Sequence, residues 1–326
     1  MKITEIAKLA GVSTSAVSRY LNNGYLSEEK KTAIREVIEK TGYAPSKHAQ
    51  VMRTKKSKII GVVVPKISSE SVGRVVAGIS EVLTKKDYQM LLANTENNTE
   101  KEIQYLKFLD NNPVDGIIFV ATILQKKHSD VLKKLKVPVV ITGQKYGTYP
   151  SVYHDDYNAA KELTKQIIAK GRRYLGCISV TDADEAAGHN RTSGFKDAVR
   201  EAGLKLGSHA IVESDFSMEN GFEKMKDLLR ENPKIDGVFC ATDNIAVGAM
   251  LYLKEAGKQL PEDISIAGIG YTKLAKVVEP KLSTVHLHYK SSGIESAKIL
   301  LEMLESNTQL SKQIQLGYEV INEESI

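Results

Sequence analysis

The sequence predicts a small all-α helix-turn-helix head joined to an α/β core of two doubly wound parallel-sheet lobes. Three observations lead there. The first 58 residues carry twelve Lys/Arg against five acids, and the other 268 carry 33 against 35, so a basic head precedes a near-neutral body. Within the head, short amphipathic stretches are punctuated by Gly and Ser at helix-stop and helix-cap positions. From Ile59 onward, near-continuous apolar runs alternate with amphipathic helical stretches, the pattern of parallel sheets covered on both faces.

The bulk properties agree. At roughly 100–200 residues per domain, a chain of 326 residues holds two or three. With 42% hydrophobic and 26% charged residues it is globular, which excludes a disordered, collagen-like or coiled-coil chain. No apolar run is long enough to span a bilayer, and MKITEIAKLAG is too polar for a signal h-region. Cys177 and Cys240 sit in apolar runs and read as reduced core thiols. A cytoplasmic location is expected. The expected partition is a DNA-binding domain over 1–45, a hinge and linker over 46–58, and a core over 59–326.

In the head, Ile3, Ile6, Ala7 and Ala10 repeat at helical spacing. Gly11 suits a left-handed stop, and Ser13 can cap a second helix from about Thr14 to Asn22, with Val17 and Leu21 facing inward. A second helix starting three residues after the glycine is helix-turn-helix spacing. Ser27 can cap a third helix whose Ala33, Ile34, Val37 and Ile38 form one stripe, and Gly42 would end it. In such a unit the first turn of the second helix enters the major groove. Thr14 and Ser15 can hydrogen-bond base edges, and Ala16 can meet a thymine methyl. Ser18 and Arg19 lie one turn on, where Arg19 can reach a guanine or a phosphate. A basic surface also suits a three-helix protein-interaction module, but the short polar turn and the charge together favour nucleic acid.

Tyr43-Ala44-Pro45 reads as extended chain. Ser46 could cap Lys47–Arg53, a basic segment too short to be stable alone as a helix. Ala49 and Met52 share a face, flanked by Gln50 and Arg53. A helix that orders on DNA suits these facts, with Met52 wedged between base steps in the minor groove. A linker is the plain alternative.

In the core, strands are expected at Ile59–Val64, Gln89–Ala93, Gly116–Thr122, Val137–Thr142, Tyr174–Val180, His209–Glu213, Gly237–Thr242 and Ser265–Gly270. Helices are expected at Val72–Lys85, Glu100–Asn111, Asn158–Lys170 and Arg191–Glu201. NNPVDGIIFVAT at 111–122 is repeated as ENPKIDGVFCATD at 231–243. Two similar lobes follow, split near the Gly/Tyr/Pro stretch at Tyr146–Ser151, with ligands expected in the cleft between them.

At this point the residues match a family. GVSTSAVSR at Gly11–Arg19, followed by Tyr20-Leu21-Asn22-Asn23 and then Gly42-Tyr43-Ala44-Pro45, closely resembles the lactose/galactose repressor family. RTSGF at Arg191–Phe195, ATDNIAVGA at Ala241–Ala249 and ISIAG at Ile264–Gly268 occur in the family's order. The resemblance covers nearly the whole chain. It implies a homodimeric repressor of a sugar-utilisation operon, with a core like the periplasmic sugar-binding proteins and a lean toward sucrose or related oligosaccharides. Paired heads would read a pseudo-palindromic operator in double-stranded DNA, and hinge helices would enter its central minor groove. The family's intercalating leucine falls at Met52, and its threonine before the first helix falls at Lys2. The heptad tail of the tetrameric relative is absent, which favours a dimer. A sugar or sugar phosphate would act as inducer, though some relatives use a ligand or a phosphocarrier protein as corepressor.

The family's ligand arginine falls at Arg191, where a salt bridge is the alternative role. Phe216 falls where an aromatic packs on the ligand, with core packing as its alternative. Asp243 falls on a cleft aspartate that helix capping explains equally well. The pocket also departs from the family. GIGY at Gly268–Tyr271 lacks the carboxylate that many members place after this strand, Gly143 replaces a polar residue, and Ser71 replaces an aromatic. Hydrogen bonding must then come from Ser69, Glu70, Gln144, His154, Asp155, Asp184 or Glu185. His154 beside Asp155 could be an acid–base pair, but no nucleophile, metal cluster or phosphate loop accompanies it. His189, His286 and His288 are not at metal-ligand spacing. No cofactor, no metal, no catalytic residue and no membrane partner are expected.

Overall fold

The computed structural model describes residues 1–22, 24–43 and 56–326. They form two compact units, Met1–Ser57 and Lys58–Ile326.

The head consists of α1 (Ile3–Leu9), α2 (Thr14–Leu21) and α3 (Glu28–Thr41). The Ser13 hydroxyl accepts from the Ala16 N–H at 3.2 Å, capping α2 as its sequence position predicts. Gly42 ends α3 with a left-handed φ of 62°. Ser27 precedes α3 without a side-chain cap, which corrects that expectation. Lys2 lacks an oxygen to cap α1, and the Glu5 carboxylate accepts from the Lys2 N–H at 2.8 Å instead. Ile6, Ala7, Ala16, Val17, Leu26 and Ile34 fill the core of the head.

The first lobe is built from β1 (Ile59–Val64), α4 (Glu70–Lys85), β2 (Gln89–Asn94), α5 (Thr99–Asp110), β3 (Gly116–Val120), α6 (Lys126–Leu132), β4 (Val139–Gly143) and β5 (Ser151–His154). The chain then enters the second lobe as α7 (Asp156–Ala169), β6 (Leu175–Ser179), a π-helical turn at Glu185–Asn190, α8 (Arg191–Glu201), β7 (Ile211–Glu213), α9 (Met218–Glu231), β8 (Gly237–Cys240), α10 (Asp243–Glu255), β9 (Ser265–Ala267), α11 (Lys273–Val277) and β10 (Thr284–Leu287). It returns to the first lobe through α12 (Tyr289–Ser306) and β11 (Gln313–Leu316), and crosses once more into β12 (Tyr318–Ile321).

The first sheet runs β11-β5-β4-β3-β1-β2 with all strands parallel, and the second runs β7-β6-β8-β9, also parallel. Antiparallel β10 and β12 form a small ribbon beside the second sheet, joined to it by the Ala267–Ser283 bridge and the Ile266 N–H to Ser325 carbonyl bond. α4 and α12 cover one face of the first sheet, and α5 and α6 the other. In the second lobe α9 and α10 cover one face, and α7 and α8 the other. This is the doubly wound arrangement expected from the continuous apolar strands.

Two expectations change. The break between lobes does not lie at Tyr146–Ser151, because β5 beginning at Ser151 still pairs with β4, and the chain crosses at Asp155. β5, β10, β11 and β12 are also additional to the strands expected. The core chain therefore crosses between lobes three times, at His154–Asp156, at His288 and at Gly317. Helices α4 and α12 cross closely enough that a Cβ on Gly293 would lie 2.0 Å from the Val75 carbonyl oxygen, so only glycine fits there.

Candidate functional site

A cavity of about 560 Å³ lies between the two lobes of the core. It sits at the carboxyl ends of the strands, where open α/β sheets bind ligands. Ser69 and Glu70 come from the start of α4, Val120 from β3, and His154 from the end of β5. The second lobe supplies Asp156, Asp184, Arg191, Phe216 and Asp243, and Tyr289 opens α12.

Its polar centre is an ion pair. Arg191 begins α8 and is 4% exposed; Asp156 begins α7 and is 3% exposed. Nε and Nη2 of Arg191 both donate to Asp156 Oδ1, at 2.8 and 2.7 Å, and Nη1 donates to the Ala241 carbonyl at 2.6 Å. Burial works against the guanidinium charge, but Asp156 and Tyr289 together outweigh it and hold the pKa of Arg191 above its ordinary value. The salt bridge and the cavity-lining position thus coincide in one residue. A guanidinium with further N–H groups and a fixed carboxylate can together accept and donate to vicinal hydroxyls.

Asp243 is fully buried and serves neither as a free ligand carboxylate nor as the cap of α10. Thr242 is that cap, its hydroxyl accepting from the Ile245 N–H at 3.4 Å. The Asp243 carboxylate accepts from the Thr272 N–H at 2.7 Å, from the Thr272 hydroxyl at 2.9 Å and from the Thr284 hydroxyl. It therefore anchors the Gly270–Thr272 loop to β10, and burial raises its pKa. Asp184 caps the π-helical turn by accepting from the Ala186 and Ala187 N–H groups at 3.1 and 2.9 Å, and its pKa is also raised by burial.

Ser69, Ser71, Glu70 and Phe216 line the cavity. The Ser69 and Ser71 hydroxyls share a hydrogen bond of 2.9 Å. Phe216 is 36% exposed, so it is not core packing. Three expected ligand residues do not reach the cavity. Gln144 is buried and donates to the Thr122 carbonyl at 2.7 Å. Asp155 caps α7 and binds the Asn158 side chain at 2.9–3.0 Å. Glu185 also lies outside the lining. In place of Asp155 it is Asp156, one residue further on, that enters, and Thr142 and Tyr289 also line the cavity without a local sequence signal to mark them.

The lobes touch beside this cavity. Arg74 on α4 donates to the Gly270 and Tyr271 carbonyls at 3.2 and 2.7 Å, and Glu70 accepts from the Lys273 N–H at 3.0 Å. Among the described residues, no group of three or more His, Cys, Asp and Glu is placed to hold a metal ion.

In the head, Thr14, Ser15 and Arg19 are exposed on α2, and Ser18 is half-buried. Ser13 and Ser15 share a hydrogen bond of 2.8 Å between hydroxyls. Ala16 is 5% exposed and packs among Ile6, Val17 and Ile34, so its methyl is not presented to a thymine; that expectation is corrected. The expected hinge contacts Ser46, Lys47, Ala49, Gln50, Met52 and Arg53 lie outside the described residues.

Comparison with known proteins adds the family. Residues 2–46 match the model for bacterial regulatory proteins of the lacI family, and residues 57–324 match that for periplasmic binding proteins and the sugar binding domain of the LacI family. The HTH-type transcriptional regulator RegA of Clostridium saccharobutylicum is 30% identical over 99% of this chain and 98% of its own. The sucrose operon repressor of Staphylococcus xylosus is 30% identical over 93% of each chain. Among solved structures, the lac repressor dimer bound to operator and an anti-inducer aligns with a TM-score of 0.90 at 19% identity, covering 100% of this chain and 98% of that one. No helix among the described residues is long and apolar enough to cross a membrane. The chain belongs to the LacI family of DNA-binding transcriptional regulators.

Proposed function

We propose that the protein is a homodimeric repressor of a sugar-utilisation operon, controlled by a sugar held in the interlobe cavity. The observation that carries this reading is the joining, in one chain, of an exposed polar turn on α2 to a cavity centred on Arg191 and Asp156. Thr14, Ser15 and Arg19 read the major groove of a pseudo-palindromic operator, and the segment around Met52 enters its minor groove. Domains over 1–45, 46–58 and 59–326 divide this work. The sugar binds one relation of the lobes better than another and so changes operator affinity, because a ligand shifts an equilibrium only by its differential affinity.

A gel-shift titration with palindromic duplexes, with and without each of a panel of sugars, tests the proposal. Binding that prefers one symmetric duplex over random competitor, and that changes with one sugar, is the expected result. A chain with no such preference under any sugar refutes it. A second reading, with a phosphocarrier protein as corepressor, is favoured by the 30% identity to Catabolite control protein A of Priestia megaterium over 98% of this chain. It predicts operator binding that strengthens when the phosphorylated carrier is added.

A further inference from the structure

Two histidines that the effector reading does not use sit beside the contact between the lobes. His286 lies in β10 and His288 directly follows that strand; both are half-buried. Positions two apart on a strand share a face, and the two rings meet edge-on with centroids 4.8 Å apart. The His286 ring also lies 5.2 Å from the ring of Tyr271. Over that same Tyr271 ring stands the Lys276 ammonium, 3.8 Å from the centroid. The Tyr271 carbonyl, in turn, accepts from Arg74 of the first lobe at 2.7 Å. A titratable ring therefore packs against the loop that the first lobe holds.

That loop depends on its contacts. Tyr271 has a φ of 49°, a left-handed conformation that few non-glycine residues adopt. Its N–H donates to the Thr284 hydroxyl at 3.2 Å. Lys273 is the first residue of α11, so its N–H has no acceptor within the helix. Glu70 of the first lobe accepts from it at 3.0 Å. Burial acts to raise the Glu70 pKa, but the Lys273 N–H and Arg74 outweigh it and hold this carboxyl below its ordinary value. The first lobe's side of the contact thus stays charged through neutral and mildly acid pH.

The second lobe's side does not. Facing His286 are His288 at the end of its own strand, Arg74 from α4, Lys276 from α11, Tyr271 from the loop and Glu319 from β12. Burial, then His288 and Arg74, hold His286 below its ordinary pKa; Lys276 adds to this and Glu319 only partly offsets it. Glu319 Oε2 lies 3.9 Å from Nδ1 and the side chain is 64% exposed, so water screens it. A proton on the ring puts a new cation near Arg74 and Lys276, and a second cation against a Tyr271 ring that already carries one. Arg74 is the member of this group that belongs to the other lobe, so separation of the lobes relieves its repulsion. A proton disfavoured by one arrangement binds the other better, and acid shifts the balance toward that other.

We propose that His286 makes the lobe contact proton-sensitive: when the ring takes up a proton, the hold of Arg74 and Glu70 on Gly270–Lys273 weakens and the lobes separate more readily. The effect needs no effector, so it stands or falls apart from the sugar reading.

The test is amide hydrogen exchange of Lys273 in the full-length chain, resolved by fragmentation mass spectrometry and corrected for the intrinsic pH dependence of exchange. This N–H is protected by Glu70 across the lobes, so its protection reports the contact itself. Between pH 7.5 and 5.5 the parent loses about threefold in protection, the response to about half a pKa unit of difference in His286 between the two arrangements. His286→Gln, which cannot take up the proton, keeps its protection within error over the same range. Glu319→Gln changes an exposed side chain and forms a second arm that holds even if His286→Gln fails to fold. It removes the carboxylate that favours the protonated ring, so the loss of protection moves to lower pH. A parent whose Lys273 protection does not change overturns the proposal. So does an equal loss in His286→Gln, or a loss in Glu319→Gln at the parent's pH, since each puts the sensitivity in another group.

Discussion

Replacing Asp156 with Ala removes the one carboxylate bonded to Arg191. The structure gives Arg191 two bonds to Asp156 Oδ1 and one to the Ala241 carbonyl, at a site where the arginine is 4% exposed. The guanidinium then keeps its charge in a wall that solvates it poorly. Breaking a buried pair from one side costs about 3–5 kcal/mol, and Asp156→Ala should fall in that range. The double variant Arg191→Met with Asp156→Ala should recover most of it, because apolar replacement of a buried pair is often close to neutral. What remains is the Ala241 carbonyl without its donor, about 1–3 kcal/mol. The coupling between the two sites should therefore be about 2 kcal/mol or more in a double-mutant cycle. The assay is urea unfolding of the full-length chain followed by far-UV circular dichroism, since the sequence holds no tryptophan. Head and core are separate compact units, so the core transition is analysed on its own. A loss below about 1 kcal/mol in Asp156→Ala, or a double variant as costly as the two singles summed, would refute the claim that this pair is desolvated and mutually dependent. The double variant also separates structure from ligand binding: it should fold and bind no sugar.

Arg19→Ala should cost about 1–3 kcal/mol of operator affinity and relax specificity at one position if it reads a base, or reduce the salt slope by about 1 if it contacts a phosphate; filter binding across salt concentrations distinguishes these, and no change in either would place the interface elsewhere. Gly293→Ala should destabilise the core by about 1–3 kcal/mol, since its Cβ meets the Val75 carbonyl oxygen at 2.0 Å; a neutral thermal melt would mean that α4 and α12 can separate freely. His154 takes up its proton at lower pH in the folded chain than in the unfolded one, because burial depresses its pKa. Its contribution to stability is complete above about pH 6.5 and is lost as the pH falls toward the depressed folded value, so the parent should lose more core stability than His154→Leu between about pH 7.5 and 5. Equal losses would show that the ring is not held neutral. Arg74→Ala removes the donors to the Gly270 and Tyr271 carbonyls and should give a larger radius of gyration in small-angle X-ray scattering without sugar; an unchanged value would show that this contact does not set the lobe separation.

The elements legible in the sequence were those with a strong period. Ile59–Val64 and Arg191–Glu201 were placed at their observed bounds, because a six-residue apolar run and a helix with an inward stripe each have one solution. β5 was missed because Ser151–His154 has four residues and follows a Gly/Tyr/Pro stretch that reads as linker. β11 and β12 are equally short, and their pairing with β5 and β10 depends on partners more than 30 residues away in sequence. At the cavity, adjacent carboxylates look alike in the sequence. Asp155 and Asp156 differ by one position, but the turn into α7 makes the first a cap and sends the second inward. Ala16 shows the same limit in the head. Its place in the first turn of α2 suggests a groove contact, while the packing of three short helices turns its methyl inward. Asp243 could not be resolved from sequence at all, since its partners Thr272 and Thr284 come from a distant loop and strand.

The cavity residues that matter most are also those where the chain changes lobe. His154 and Asp156 flank the first crossing, His288 and Tyr289 form the second, and Gly317 forms the third. The crossings are tied to one another. The His154 ring engages His288 and Tyr289, and the Asp155 N–H donates to the Leu316 carbonyl at 3.0 Å. Asp243 extends the tie by holding the Gly270–Thr272 loop to β10, which leads into the second crossing. A ligand seated against Asp156 and Arg191 would therefore touch the residues at the first crossing directly, so its bonds need no long relay to bias that relation. Moving a two-state equilibrium from 1:99 to 99:1 needs about 5.5 kcal/mol of differential affinity. Hydrogen bonds to charged groups contribute about 1.5–3 kcal/mol each. Two or three such bonds made in only one lobe arrangement supply that difference. On this account the ligand switches the protein through contacts that the other arrangement cannot make, and a sugar that bound both arrangements equally would occupy the cavity without changing operator affinity.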